Sequence, residues 1–206
     1  HLRNEQVNLG ALKSIDPVTL TLVADVDPPM VNGLPTVATH VEFDGDKAYV
    51  TYHTFGEGYG GAVEVFDVSD PDNPLLISSI TITDTDFHNL DIEGSELWAG
   101  GARDIYSSGY TALGTKGAIV QRYTLGSGLF LGPPDVEKPL SSFATTSISK
   151  GSIGVIASTG DIDGHSYLLD PATLDVVDLA AEGDVKYIGQ GPTYYAAVVG
   201  DGASSK

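Results

Sequence analysis

Short runs in which apolar residues alternate with polar ones, punctuated by Gly, Pro, Asp and Asn, fill this chain from end to end. Alternation with a period of two places every second side chain on one face of a pleated strand, so such runs predict half-buried strands. One stretch shows four in succession: His40 to Phe43, Ala48 to Thr54, Ala62 to Val68 and Leu75 to Ile82. Val41 and Phe43 alternate in the first, and Val63 and Val65 oppose Phe66 in the third. No segment carries a helical apolar stripe, and β-branched residues are abundant, which favours strands.

The runs repeat. Asp16-Pro17-Val18-Thr19-Leu20 returns as Asp170-Pro171-Ala172-Thr173-Leu174, with a cousin at Asp67-Val68-Ser69-Asp70-Pro71-Asp72-Asn73-Pro74. Each copy ends one run and begins another. Asp, Ser or Thr can cap the bend while Pro presets φ, so each reads as a turn between strands. A second phrase, strand–tight turn–strand, begins at Thr39 and His88, and again at Thr145 and Lys186. Repeats of roughly 40–50 residues holding four strands are the pattern of β-propeller blades. The expected fold is all-β, a propeller of about four blades: 38–86, 87–140, 141–183, and one shared by 184–206 with 8–27. The chain ends complement each other, because Gly10–Val26 reads as outer strands alone and Val185–Val199 as inner strands alone. Unpaired, each would expose a row of backbone donors and acceptors. The termini are therefore expected to share a blade, either within one chain or across a larger ring completed by a second copy.

Gly45-Asp46-Lys47-Ala48-Tyr49-Val50, Gly61 through Pro74, and Leu76-Ile77-Ser78-Ser79-Ile80 together resemble the LVIVD-repeat β-propellers. The match is good over 39–82, fair over 88–125 and loose elsewhere, where Leu168-Leu169-Asp170-Pro171 follows a generic propeller turn. The resemblance implies a bacterial or archaeal protein, exported or surface-associated, with structural rather than catalytic repeats.

Charge narrows the partners. There are 28 acidic residues against 10 basic ones, for a net −18. Such a surface repels phosphate backbones and anionic lipid, so nucleic acid and membrane insertion are not expected. The absence of cysteine excludes disulfides and thiolate zinc sites. No apolar run approaches spanning length. His1 begins the chain without an initiator Met, so a mature, trimmed or excerpted chain is expected, from which any export signal would already be gone.

Candidate chemistry gathers where the topology places long loops, after the second strand of each blade and between blades. His40 and His88 are expected at the entrances of innermost strands, His53 at a strand end, and His165 at a strand start. Glu57, Asp84, Asp86, Asp104, Asp161 and Asp163 are close in sequence. Imidazole and carboxylate suit divalent metals, which makes His40, His88, Asp161, Asp163 and His165 the candidate ligands of a cation such as calcium. The plainer alternative is that polar residues collect at strand ends. Asp161-Ile162-Asp163-Gly164 opens like a calcium loop but lacks the distal Glu of an EF-hand, and reads equally well as a hairpin turn. Tyr59, Tyr106 and Tyr110 lie in Gly- and Ser-rich loops suited to protein or carbohydrate contact, or fold back over a sheet edge. With His40, His53, Asp86 and His88 they form the candidate ligand-binding set. Gly56 to Gly61 joins two strands and so offers no phosphate cradle, and no G-x-S-x-G elbow occurs.

Two functions follow. One is a non-catalytic binding or assembly module; the other is a metal-assisted hydrolase of lactonase or esterase type, acting through His and carboxylate. The charge generates a first prediction. Titration with duplex DNA or anionic vesicles at low salt, where attraction would be greatest, gives no saturable binding; saturation of either overturns this reading of the surface.

Overall fold

A computed structural model describes residues 21–160, 164–180 and 183–200. The described residues are all-β: strand makes up 60% of them and helix none, in curled, nearly closed sheets. The sheets follow one another in chain order. The first is β1 (Met30–Val31), β2 (Leu34–Asp44), β3 (Lys47–Thr54), β4 (Gly61–Asp67) and β5 (Leu75–Ile82), in that order and antiparallel. The second runs β6 (Thr85–Glu93), β7 (Glu96–Arg103), β8 (Ala118–Gly126), β10 (Val136–Pro139), with β9 (Leu129–Phe130) also on β8. The third is β11 (Thr145–Gly151), β12 (Gly154–Thr159), β13 (Ser166–Leu169) and β14 (Val176–Ala180). Among the described residues the fourth holds only β15 (Asp184–Gln190) and β16 (Tyr195–Gly200).

The turns form for the reasons the sequence supplies. Asp44 pairs with Lys47 and Glu93 with Glu96, so two residues close each hairpin. Gly45 and Gly94 take φ of +57° and +63° there, a region costly for a residue with a Cβ. In the Asp170 turn, Asp170 Oδ1 accepts from the amides of Ala172 and Thr173, both at 2.9 Å. The Asp67 turn is capped alike, with Ser69 N donating to Asp67 Oδ1 at 2.9 Å. The Asp16 turn lies outside the described residues.

One strand of each sheet, β2, β6, β11 and β15 in turn, is bulged at one residue. Register slips at Thr39 in β2, His88 in β6, Thr146 in β11 and Lys186 in β15. A bulge takes backbone groups out of the ladder, and here side chains supply partners. Thr39 Oγ1 donates to the Phe87 carbonyl (2.9 Å), His88 Nδ1 to that of Thr145 (3.3 Å), and Thr146 Oγ1 to that of Val185 (2.7 Å). Phe87, Thr145 and Val185 are the residues just before the next sheet's bulge, so the side chain of each bulge ties its sheet to the one that follows. Gly101 makes room for one of these bulges, since a Cβ there would lie 1.8 Å from the Asp86 carbonyl oxygen.

Between the sheets lie two apolar clusters. Tyr49, Val63 and Val65 of the first sheet meet Phe87, Leu90, Leu97, Ala99, Tyr123 and Leu125 of the second. Trp98, Ala118 and Val120 of the second meet Ile148, Val155, Ala157, Tyr167, Leu169 and Leu174 of the third. Tyr49 and Trp98 are fully buried, as their shared position in the repeat implies.

Two expectations need correction. Thr21–Val26, read as the end of an outer strand, forms none, and the rest of that pair lies outside the described residues. The innermost strands also begin earlier than alternation suggests, because a bulge breaks the period of two: β2 starts at Leu34. His40 and His88 therefore lie inside strands, not at their entrances.

The inter-sheet bond is testable at Thr146. Thr146→Val keeps the shape but removes the hydroxyl that bonds the Val185 carbonyl, at a cost of about 0.5–1.5 kcal/mol. Urea denaturation is expected to show a lower midpoint at unchanged slope, with Thr146→Ser close to the parent. Equal midpoints for Val and Ser would remove the bond from the account.

Candidate functional site

Strand β3 of the first sheet ends at His53 and Thr54, and the chain loops back at once. Thr54 N donates to the Gly60 carbonyl at 2.7 Å, closing the glycine-rich loop 55–60, and the Thr54 hydroxyl donates to the Gly58 carbonyl. The amide of Gly60 then points at Asp86 in β6, donating to Oδ1 at 3.0 Å, with the Thr54 hydroxyl 3.4 Å from the same oxygen. His88, two residues along β6, sets its ring edge-on to His53 at 5.9 Å and 83°. Asp86 and His88 share a side of β6 despite the bulge. The structure thus brings together His53, Asp86 and His88, with Tyr59 electrostatically linked to Asp86 and Asp104.

Burial dominates the electrostatics. It raises the Asp86 carboxyl above its ordinary value, against the Gly60 hydrogen bond and the His53 and His88 imidazoles, which favour the anion. It lowers His88, against the Thr145 bond and Asp86, which favour the cation. A carbonyl can only accept, so the proton of neutral His88 sits on Nδ1 and leaves an Nε2 lone pair. Tyr59 is raised by burial first and by Asp86 and Asp104 second.

His40 belongs to a different group. Asn89 Oδ1 accepts from the amide of Ile148 at 2.7 Å, so its Nδ2 donates to His40 Nδ1 at 3.0 Å. Nε2 of His40 therefore carries its proton toward Glu42, whose Oε2 lies 3.5 Å away. Asp91, raised by burial, accepts from the amides of Lys150 and Ile92, both at 2.7 Å. This is a structural chain: Asn89 and Asp91 reach the third sheet, as Ser147 reaches the fourth by accepting from Ile188 N at 3.2 Å.

The proposed metal set is only partly within the described residues. His40 and His88 hold separate partners, Asp161 and Asp163 lie outside the described residues, and His165 packs 5.7 Å from Tyr167. Among the described residues no three His, Asp or Glu side chains are placed to hold a metal ion. The loop tyrosines divide. Tyr106 is 88% exposed and Tyr59 38%. Tyr110 folds back, its ring 5.1 Å from the Arg103 guanidinium and its hydroxyl, raised by burial to about 12, reaching the Ala118 carbonyl. Arg103 in turn bridges Asp84 at 3.1 Å and Glu137 at 2.5 Å, anchoring the 104–117 loop.

Sequence reading missed Thr54, Gly60 and Asn89. Asn89 was within reach, since aligning the repeats sets it beside His40 and Ser147. The Thr54–Gly60 closure leaves no such trace, because only the folded loop brings that amide to Asp86.

The coupling sets a sign. His88 is depressed in the folded chain, so its contribution to stability is present above about pH 6.5 and is lost as pH falls through the folded value. Asp86 favours the His88 cation, so Asp86→Asn is expected to depress the His88 pKa further, read from its ring proton shift by NMR. An unchanged or higher value would separate the two groups.

No family model and no curated protein matches the chain. Among solved structures, the crystal structure of the computationally designed Ika4 protein is similar, with a TM-score of 0.57 at 13% identity, covering 89% of this chain and 94% of that one. The likeness is one of fold alone.

Proposed function

We propose that the chain is a β-propeller of the LVIVD-repeat type, with its four-stranded sheets as blades, acting as a non-catalytic binding module outside the cell or at its surface. The observation that carries this reading is the split among the polar side chains. His40, Asn89, Asp91 and one nitrogen of His88 are committed to bonds within and between sheets. What remains toward solvent is Tyr59, Tyr106 and the carboxylates near them, a contact surface rather than a reaction centre. Exposed tyrosines stack on sugar rings and pack against peptides, while carboxylates attract basic side chains.

The hydrolase alternative is less well supported, because its two leading histidines are held apart by different partners. NMR titration of the intact protein with neutral oligosaccharides, and separately with Lys/Arg-rich peptides, is expected to give saturable shifts around Tyr59 and Tyr106 for one class. Tyr106→Ser weakens that binding by roughly tenfold, as loss of one stacking contact would. No saturation with either class, or saturation at a surface distant from these loops, overturns the proposal.

A further inference from the structure

The residue that follows the bulge reaches toward the next sheet three times, as His40 in β2, Asn89 in β6 and Ser147 in β11. Asn89 and Ser147 accept there from buried backbone amides, Ile148 N at 2.7 Å and Ile188 N at 3.2 Å. A carboxamide oxygen and a hydroxyl keep that role at any ordinary pH. His40 differs. Its Nδ1 accepts from the Asn89 Nδ2 at 3.0 Å, and an imidazole nitrogen accepts only while it carries no proton.

Asn89 cannot turn to suit a charged ring. Its Oδ1 is taken by the Ile148 amide, and Ile148 is buried. A flipped carboxamide would set its NH2 against that amide and leave a buried donor unpaired, which costs as much as the bond it would save. His88 behaves in the opposite way. Its Nδ1 donates to the Thr145 carbonyl, and a protonated ring still donates from that atom.

We propose that His40 is an acid-released latch: protonation of Nδ1 frees the Asn89 side chain and loosens the joint between the first and second sheets, while the His88 link between the second and third is kept. The groups around His40 give the proton a reason to arrive. Glu42 Oε2 lies 3.5 Å from Nε2 on the same strand. Asp91 of β6, whose carboxyl is raised first by burial, also feels Glu42 and His40. On β3 the residue paired with His40 is uncharged Thr51, and His53 is turned to His88. On β11 the Lys150 ammonium is held by Glu93 at 2.6 Å and its amide by Asp91. Two carboxylates thus favour the cation while Asn89 requires the neutral ring, and with 23% of the His40 side chain exposed, protons reach it from solvent. Tyr59 hangs from the first sheet and Tyr106 from the second, so a loosened joint changes how the two stand to each other. That consequence rests on the contact-surface reading, whereas the latch itself does not.

NMR on the full-length protein, with no ligand present, tests the latch apart from that reading. At about pH 8, above the ordinary imidazole range, the His40 ring nitrogens are expected to show the proton on Nε2; a proton on Nδ1 overturns the proposal. Amide protons exchange by base catalysis, so their intrinsic rate falls as the solution is acidified. The Asn89 side-chain NH2 is expected to run against that trend, exchanging roughly tenfold faster than the intrinsic change allows once His40 is protonated. His40→Gln offers Asn89 a neutral carbonyl in place of the imidazole and is expected to abolish the acid step, while His88→Gln is expected to leave it in place. An Asn89 rate that follows the intrinsic decline in the parent overturns the latch without recourse to either variant. So does an acid step that survives His40→Gln or disappears in His88→Gln.

Discussion

The hydrogen bond from each bulge residue to the carbonyl just before the next bulge is the constraint on which the packing of this chain depends. It occurs at Thr39, His88 and Thr146, and each time it joins the bulged strands of consecutive sheets. A bulge twists and bends its strand, so the same residue that curls a sheet also fixes the next one against it. Neither cluster of apolar side chains could set that geometry alone, since hydrophobic attraction has no direction. The hydrogen bonds choose among the ways two apolar faces could meet.

His88 shows how one side chain can serve two ends. In the other two positions a threonine hydroxyl makes the inter-sheet bond. Imidazole makes it with one nitrogen and keeps a second, while its ring lies edge-on to His53 and its charge couples to Asp86. Burial holds Asp86 toward its neutral form and His88 toward its neutral form, each against the other's attraction. Burial thus favours the neutral form of both groups.

Several of the described cations are used within and between the sheets. Arg103 holds Asp84 and Glu137, Lys150 holds Glu93 at 2.6 Å, and Arg122 reaches the Ala172 carbonyl of the next sheet's turn at 2.8 Å. With 28 acidic residues in the chain, most carboxylates have no such partner to neutralise them. The acidity is consequently a property of the solvent-facing surface, where it governs which partners approach.

The sequence by itself determined the strands, their hairpins and the Asp-Pro turns, because alternation and turn chemistry are local. Val63 and Val65 on one side of β4, Gly45 and Gly94 at positive φ, and Asp170 capping its own turn are each legible within a few residues. It also determined that Tyr49 and Trp98 belong to the core, since the repeat places them alike. Tertiary structure decided the rest. Bulges at Thr39 and His88 break the alternation that reveals strands, so His40 and His88 read as strand ends when they are strand interiors. One bulge then decides that His88 joins His53 and Asp86 while His40 turns to Asn89 and Glu42. Tyr59 and Tyr110 sit in loops of the same composition, yet one stands half in water and the other lies against Arg103. Those outcomes depend on atoms tens of residues apart, and no local pattern of residues records where a neighbouring sheet will place its carbonyls.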